Sequence, residues 1–410
     1  MVYLLLIFCT LAALACDIYI YRRVTSRHKL PRGLKILYIA VAFLVDTMAV
    51  VALLRMRTLE TVTPGMMRAI MWAIGIFVLQ FVPKLVYTVV SLPDYLVGML
   101  RRKPFHIFSW LGVALAVPVA VLILHGLTAG RSQFRVEEVE LTFEELPPSF
   151  DGLRVVQFSD LHIGTLTGRD RFITELRDRI NGLDPDIVIQ SGDIVNSQAH
   201  ELDEYALSVL GGIRARYGVF SVLGNHDLGI YVRDAVKYPP AENIRMLEER
   251  HRDLDWTLLR NSSVCIGNGT DTITVSGADY PYDPMLNSSH LSQLPGMDLD
   301  ATYYGIADST FNITIAHAPQ MWNEILERGV ADLTLAGHVH AMQMKFRIFG
   351  RTLSPAQWMY DRWSGLYEED GRYLYINDGL GYVLYPMRIG AKPELTLFVL
   401  RSASTKTEPR

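Results

Sequence analysis

The chain has almost no cysteine, three residues in 410. Cys9 and Cys16 share one apolar stretch and Cys265 stands alone, so neither a disulfide framework nor a Cys-rich zinc site can be built from them. Acids are scarce in the first third. Residues 1–130 hold Asp17, Asp46, Glu60 and Asp94 against 13 Lys and Arg, a net +9, whereas residues 131–410 carry −13. The acidic part has no basic run, which argues against a partner bound through charge such as nucleic acid. Internal repeats and low-complexity tracts are also missing. A chain of this length exceeds one ordinary core, so at least two units are expected.

What residues 1–130 do have is long apolar runs, at about 2–21, 34–54, 67–92 and 106–126. Each matches the roughly 20 helical residues that cross a hydrocarbon core. A soluble bundle would show a polar face every 3.6 residues, and "VALAVPVAVLIL" shows none. A four-helix transmembrane region is therefore expected over 1–130. The first run lacks the Lys or Arg that precedes the core of a signal peptide, so it counts as a span. The loop after it, "YRRVTSRHKLPRGLK", has six Lys and Arg, and the loop after the third span has "RRK". Positive loops stay in the cytoplasm. Both termini, and residues 131–410 with them, are thus expected on the extracytoplasmic side. Asp46 and Lys84 fall inside spans two and three, where a structural ion pair is the expectation.

Past residue 130 the pattern changes. "FRVEEVELTF" alternates apolar and polar residues, as a half-exposed strand does. "LRVVQF", "DIVIQ", "VFSVL", "TITVSGADY", "FNITIAHAP", "ADLTLAGHVH", "RYLYINDGL" and "ELTLFVLR" also read as strands. "RDRFITELRDRINGL", "ELDEYALSVLGGIRARYG" and "AENIRMLEERHRDL" read as helices. Such alternation predicts an α/β domain over 131–402, followed by a polar tail at 403–410.

Five strands end in groups that can bind metal. They supply Asp160 and His162 ("SDLHIG"), Asp193 ("SGDIV"), Asn225 and His226 ("GNHD"), His317 ("IAHAP"), and His338 and His340 ("AGHVH"). Strand ends on one edge of an α/β sheet form the usual ligand crevice, and i, i+2 pairs on an extended segment face one site. A single histidine at a strand end is ordinarily a hydrogen-bonded core residue; five motifs in this order are not explained that way. Carboxylates mixed with imidazoles suit Mn, Fe or Zn rather than Ca. Leaving His226 aside, seven donors exceed the needs of one ion, so two ions sharing a carboxylate are expected.

The series "DLH…GD…GNHD…H…GHVH" resembles the calcineurin-like metallophosphoesterases, and within them the membrane-attached, YkuE-like branch. The resemblance implies a four-layer αββα sandwich and two divalent cations. By it, Asp160, His162 and His340 hold the first ion, Asn225, His317 and His338 the second, and Asp193 bridges both. It also implies in-line attack of a metal-bridging hydroxide on a phosphomonoester or phosphodiester. His226 stands beside the metals and assists the phosphoryl transition state or protonates the leaving group. One position departs from the pattern: "GDIVN" puts Asn196 where the protein-phosphatase branch has a second Asp, which argues against protein-phosphatase chemistry. Asp227 is not expected to replace it, because neighbouring strand residues face opposite ways. Four spans suggest a substrate in or near the bilayer, such as a phospholipid or lipid-linked phosphoester; since one span would anchor the domain, the other three point to recognition, scaffolding or assembly. The competing reading is a membrane sensor or transport-associated module whose phosphoesterase domain binds metal but turns over little. "YPYDP" at 280–284 is read as a turn, with pocket-lining as the alternative.

Overall fold

A computed structural model describes residues 2–25, 30–58, 63–101, 106–232, 239–281, 296–307 and 309–404. The chain forms two compact units. One comprises Met1–Gly130 with Val383–Ile389, the other Arg131–Tyr382 with Gly390–Arg410.

The first unit is four helices: α1 (Val2–Ile20), α2 (Arg32–Thr58), α3 (Pro64–Arg101) and α4 (Ile107–His125). Over Arg32–Met56, Pro64–Gly98 and Ile107–Gly130 they are long and apolar enough to cross a membrane. α1 has 19 residues, with side chains described from Phe8 onward. Of the basic loops that set the expected orientation, Arg27, Lys29, Arg102 and Lys103 lie outside the described residues, as does 405–410 of the tail.

Polar side chains inside this unit meet one another, as they must where water is absent. Lys84 pairs with Asp17 at 2.5 Å, not with Asp46, and Tyr38 donates to the same carboxylate at 2.6 Å. Asp46 accepts instead from Gln80, 3.2 Å away and four residues before Lys84. The expected Asp46–Lys84 pair is thereby replaced: helical spacing put Gln80 and Lys84 on one face, and α1 supplied the nearer acid. Asp94 accepts from Ser109 N and Phe108 N at 2.6 and 3.1 Å, satisfying the open N–H groups at the start of α4, and pairs with Arg23 at 3.2 Å.

The segment Val383–Ile389 belongs to this helical unit although its sequence neighbours do not. Arg388 N donates to Gly126 O, and Tyr385 packs on Ala52, Ile70, Ala73 and Ile74. A Cβ at Gly126 would overlap Met387 and Ile389, and one at Gly75 would crowd Pro386, so glycine is what lets the segment in. A chain cut at 131 would strip Met387 and Arg388, both buried, of that cover.

The second unit holds two six-stranded mixed sheets. The first has the order β1-β14-β2-β3-β4-β5, with β1 (Arg135–Phe143), β2 (Leu153–Phe158), β3 (Ile187–Gln190), β4 (Val219–Ser221), β5 (Thr257–Leu258) and β14 (Glu394–Ser402). The second has the order β12-β13-β9-β8-β7-β6, with β6 (Ser262–Gly267), β7 (Thr272–Ala278), β8 (Asn312–Ala316), β9 (Leu333–Ala336), β12 (Gly365–Glu369) and β13 (Arg372–Ile376). β10 (Phe346–Ile348) and β11 (Arg351–Leu353) form a separate hairpin.

Alternation in the strands aims one set of apolar residues between the sheets. Val155, Ile187, Ile189 and Phe220 of the first meet Ile273, Val275, Ile313, Ile315, Leu333 and Leu335 of the second in one buried cluster. Helices cover the outer faces, giving the expected four layers. α8 (Trp322–Arg328) buries Trp322 and Ile325 against Ala316, Ala336 and Ile376. α7 (Pro240–Asp253) reaches β4 through His251 Nε2 and Ser221 Oγ, 3.0 Å apart. α5 (Arg169–Gly182) follows β2, and α6 (Glu204–Leu210) follows β3.

α6 is shorter than the expected helix over 201–218. Asp203 caps its start, accepting from Ala206 N at 2.9 Å, and Gly211–Gly212 end it, as two adjacent glycines disfavour a helix interior. β5, β6, β10, β11 and β12 escape the sequence reading because they are short or half-exposed and lack clean alternation.

Candidate metal centre

β2, β3 and β4 are parallel neighbours, and so are β8 and β9 in the facing sheet. Their C-terminal ends bring every expected donor to one place. Asp160, His162, Asp193, Asn225, His317 and His340 are all buried.

The pairs Asp160/His162 and His338/His340 do converge, but not by strand alternation. β2 ends at Phe158 and β9 at Ala336. Beyond those ends the backbone is left-handed at Asp160 (φ 52°), His162 (φ 43°), His338 (φ 71°) and His340 (φ 52°), and at Asp193 (φ 57°). Five non-glycine residues held where L-residues rarely sit is costly, and such conformations gather at functional sites.

Three groups of donors have ligand atoms within 4.8 Å of one another: Asp160, His162 and His340; His162, Asp193 and His226; Asp193, His317 and His338. His340 Nε2 lies 3.1 Å from both Asp160 Oδ1 and His162 Nε2. Asp193 Oδ2 lies 3.2 Å from His317 Nε2 and 3.8 Å from His162 Nε2, so it reaches both ends of the cluster. Asn225 Oδ1 sits 3.1 Å from His317 Nε2 and 2.8 Å from His338 Nδ1. Lone-pair atoms crowded this closely repel unless a proton or a cation lies between them. Oxygen and imidazole donors of this kind fit borderline divalent cations.

The surrounding hydrogen bonds aim these donors. His317 Nδ1 donates to Ser191 O at 2.8 Å, which turns Nε2 inward. Asp227 accepts from Asp193 N, Val195 N and Gly224 N, tying the "GD" turn to the "GN" turn. Asp227 lies in a turn beyond the end of β4, and these backbone groups, not strand alternation, take up its carboxylate, so it is not what orients the His226 ring. The ring donates Nδ1 to the backbone carbonyl of Asn196 at 2.6 Å, while the Asn196 side chain donates to Ser197 Oγ. The main-chain oxygen of residue 196, not its side chain, thus orients the ring, and Nε2 has no hydrogen-bond partner among the described residues.

Electrostatics follow from crowding. Burial opposes the charge on Asp160, yet His340 beside it holds the carboxyl below its ordinary range. Asp193 is held down too, burial being outweighed by His317 and His226. Burial, then the Asp193 charge, push Asp227 up to about 7. Burial and the neighbouring His317 bring His338 down to about 4, which keeps it neutral and able to donate a lone pair.

Residues 153–342 match the family described as calcineurin-like phosphoesterase, and residues 2–131 match a probable calcineurin-like phosphoesterase transmembrane domain. The chain belongs to the calcineurin-like phosphoesterases. Among its relatives, a transmembrane protein with metallophosphoesterase domain from Danio rerio is 30% identical over 69% of this chain, and the chain spans 61% of that relative's length. The metallophosphoesterase YkuE of Bacillus subtilis is 27% identical, over 66% of this chain and 87% of its own. The UDP-2,3-diacylglucosamine pyrophosphatase LpxG of Chlamydia trachomatis is 28% identical, over 58% of this chain and 81% of its own.

Three tyrosines complete this phosphoesterase's site. Tyr231 accepts from Asn225 Nδ2 at 2.8 Å, which fixes the amide with Oδ1 inward, and its ring lies 4.5 Å from that of His226. Tyr280 lies 6.0 and 5.9 Å from His317 and His338, and Tyr360 lies 6.3 Å from His338. Tyr280 opens the "YPYDP" stretch, whose residues from 282 onward fall outside the described residues. Nothing in the sequence distinguishes Tyr231 and Tyr360 from the protein's other tyrosines.

Gly192 is indispensable to this geometry. Its φ is +96°, and a Cβ there would overlap the His317 ring. Gly192→Ala is expected to cost about 2–5 kcal/mol from backbone strain and overpacking together. His317 should also leave the Ser191 carbonyl. Thermal unfolding and metal content of the purified variant should both fall.

Proposed function

We propose that this membrane protein is a two-cation phosphohydrolase acting on a lipid-linked phosphoester, with residues 131–402 as its catalytic domain. The observation that carries the reading is Asp193, whose carboxylate reaches both His162 and His317, donors from opposite sheets. Asp160, His162 and His340 would hold one ion and Asn225, His317 and His338 the other, with Asp193 between them.

Bound there, Mn, Fe or Zn ions supply charge neutralisation for the phosphoryl oxygens and an acidified water. The residues supply the rest. Asp160 and Asp193 stay ionised and set the cluster's charge. Asn225, clamped by Tyr231, presents its carbonyl oxygen rather than its amide. His226, oriented through Nδ1, keeps Nε2 for a proton that the departing oxygen needs.

The lipid-linked substrate class is supported by two facts. Four helices accompany the domain where one would anchor it, and the similar LpxG is named for a diacylated nucleotide sugar. A panel on the full-length, metal-loaded protein tests it: soluble monoesters, soluble diesters and lipid-borne diesters or pyrophosphates. A higher kcat/KM for the lipid-borne compounds is expected; turnover of soluble monoesters alone would exclude the lipid class.

The domain is proposed to lie outside the cytoplasm. A reporter active only in the cytoplasm, fused after residue 410, should be silent. Strong signal would reverse the orientation.

A further inference from the structure

Between β9 and β12 runs a stretch unlike the rest of its acidic domain. Residues 333–360 contain no Asp or Glu, and they carry Lys345, Arg347 and Arg351. Their centre is the hairpin of β10 and β11, paired Phe346↔Leu353, Arg347↔Thr352 and Ile348↔Arg351. It joins neither six-stranded sheet. Its two-residue turn, Phe349–Gly350, has φ of 49° and 78°. Such turns favour Asn, Asp or Gly at the first position. Here a phenylalanine stands there instead, fully exposed.

Exposed apolar residues continue along the chain past the hairpin. Ile348 and Leu353 are exposed, and Trp358 and Met359, one turn further on, are 80% and 67% exposed. Single exposed apolar residues are ordinary, whereas a group of five in the twelve positions 348–359 marks an interaction site. Lys345 is neutralised by Asp378 at 2.6 Å, but Arg347 and Arg351 are exposed and have no acidic partner among the described residues. Ser354 Oγ donates to Ala341 O at 2.7 Å, fastening the base of the hairpin beside His340.

We propose that this hairpin, with Trp358 and Met359, enters the head-group region of the bilayer that the chain itself spans, with Phe349 as the tip. Three observations choose lipid over a protein partner. An exposed tryptophan and a fully exposed phenylalanine within one short segment are the composition of an interfacial anchor. Two unpaired arginines flank the tip, placed for anionic head groups. The chain carries its own transmembrane helices, so a lipid surface is always within reach. Because the hairpin is fastened to the segment bearing His338 and His340, its insertion would hold the metal centre at the lipid surface. The inference stands whether or not the substrate is a lipid.

The test uses full-length protein in vesicles of phosphatidylcholine with phosphatidylglycerol. Phe349→Cys, in a background with Cys9, Cys16 and Cys265 replaced by Ser, carries an environment-sensitive fluorophore. Lipids spin-labelled near the head group should quench it at least twofold, and aqueous iodide should not. Arg347→Glu with Arg351→Glu should remove most of the lipid quenching. Quenching by iodide alone would overturn the proposal. Shielding from both quenchers would also overturn it, pointing to a second protein surface over the patch. If the cysteine-free background does not fold, native Trp358 serves: brominated lipids should quench the wild type more than Trp358→Phe, and equal quenching would overturn the proposal.

Discussion

Asp193→Asn is expected to reduce hydrolysis by on the order of 10³-fold or more, the scale of losing a principal transition-state-stabilising group. Metal binding at both positions should weaken with it. The replacement keeps the shape and an oxygen, so His226 N retains an acceptor in place of the carboxylate it now meets at 2.8 Å. What it removes is the negative charge that faces His317 at 3.2 Å and His162 at 3.8 Å. As a proposed terminal ligand His340 would serve one ion, so His340→Ala should spare the other. Metal analysis of both variants separates the cases. Retention of two tightly bound ions in Asp193→Asn would rule out a bridging carboxylate.

His226→Ala should behave differently. Its Nδ1 is committed to the Asn196 carbonyl, and its ring stands edge-on to His162 at 4.6 Å. Proximity alone would allow it as a ligand, since it groups with His162 and Asp193. The assigned role faces the substrate, so metal content should survive while turnover falls. General-acid assistance is worth roughly 10²–10⁴-fold. An ester with an alkoxide leaving group should lose nearly that much. A p-nitrophenyl ester, whose leaving group is stable as an anion, should lose far less. Equal slowing of both would mean that His226 stabilises charge rather than donating a proton. Loss of an ion would make it a ligand.

The donors were legible because they obey chain-local rules. Apolar strands ending in Asp, Asn or His can be read directly, and each of the eight expected site residues reaches one cluster. How they converge was not legible. Alternation seemed sufficient for Asp160/His162, yet left-handed backbone beyond the strand end does the work, and φ is set by tertiary contacts such as Asp160 N to Gly192 O. The Asn196 carbonyl was hidden for a similar reason, as every residue has one and only folding selects it. Tyr231 and Tyr360 carry no local signal. In the membrane unit the charged residues could be seen, but their pairing depended on packing of α1 against α3, which no periodicity reports. The placement of Val383–Ile389 among the helices was equally invisible, since the stretch reads as a loop between two strands.

The central claim is a pair of cations held by donors from two sheets and required for hydrolysis. The most direct measurement is a Mn(II) titration of full-length protein stripped with a chelator, following bound metal and turnover of a phosphoester together. Two equivalents per chain, with turnover appearing as the second binds, is the predicted result. Full turnover at one equivalent, or hydrolysis that persists in the stripped protein, would contradict it.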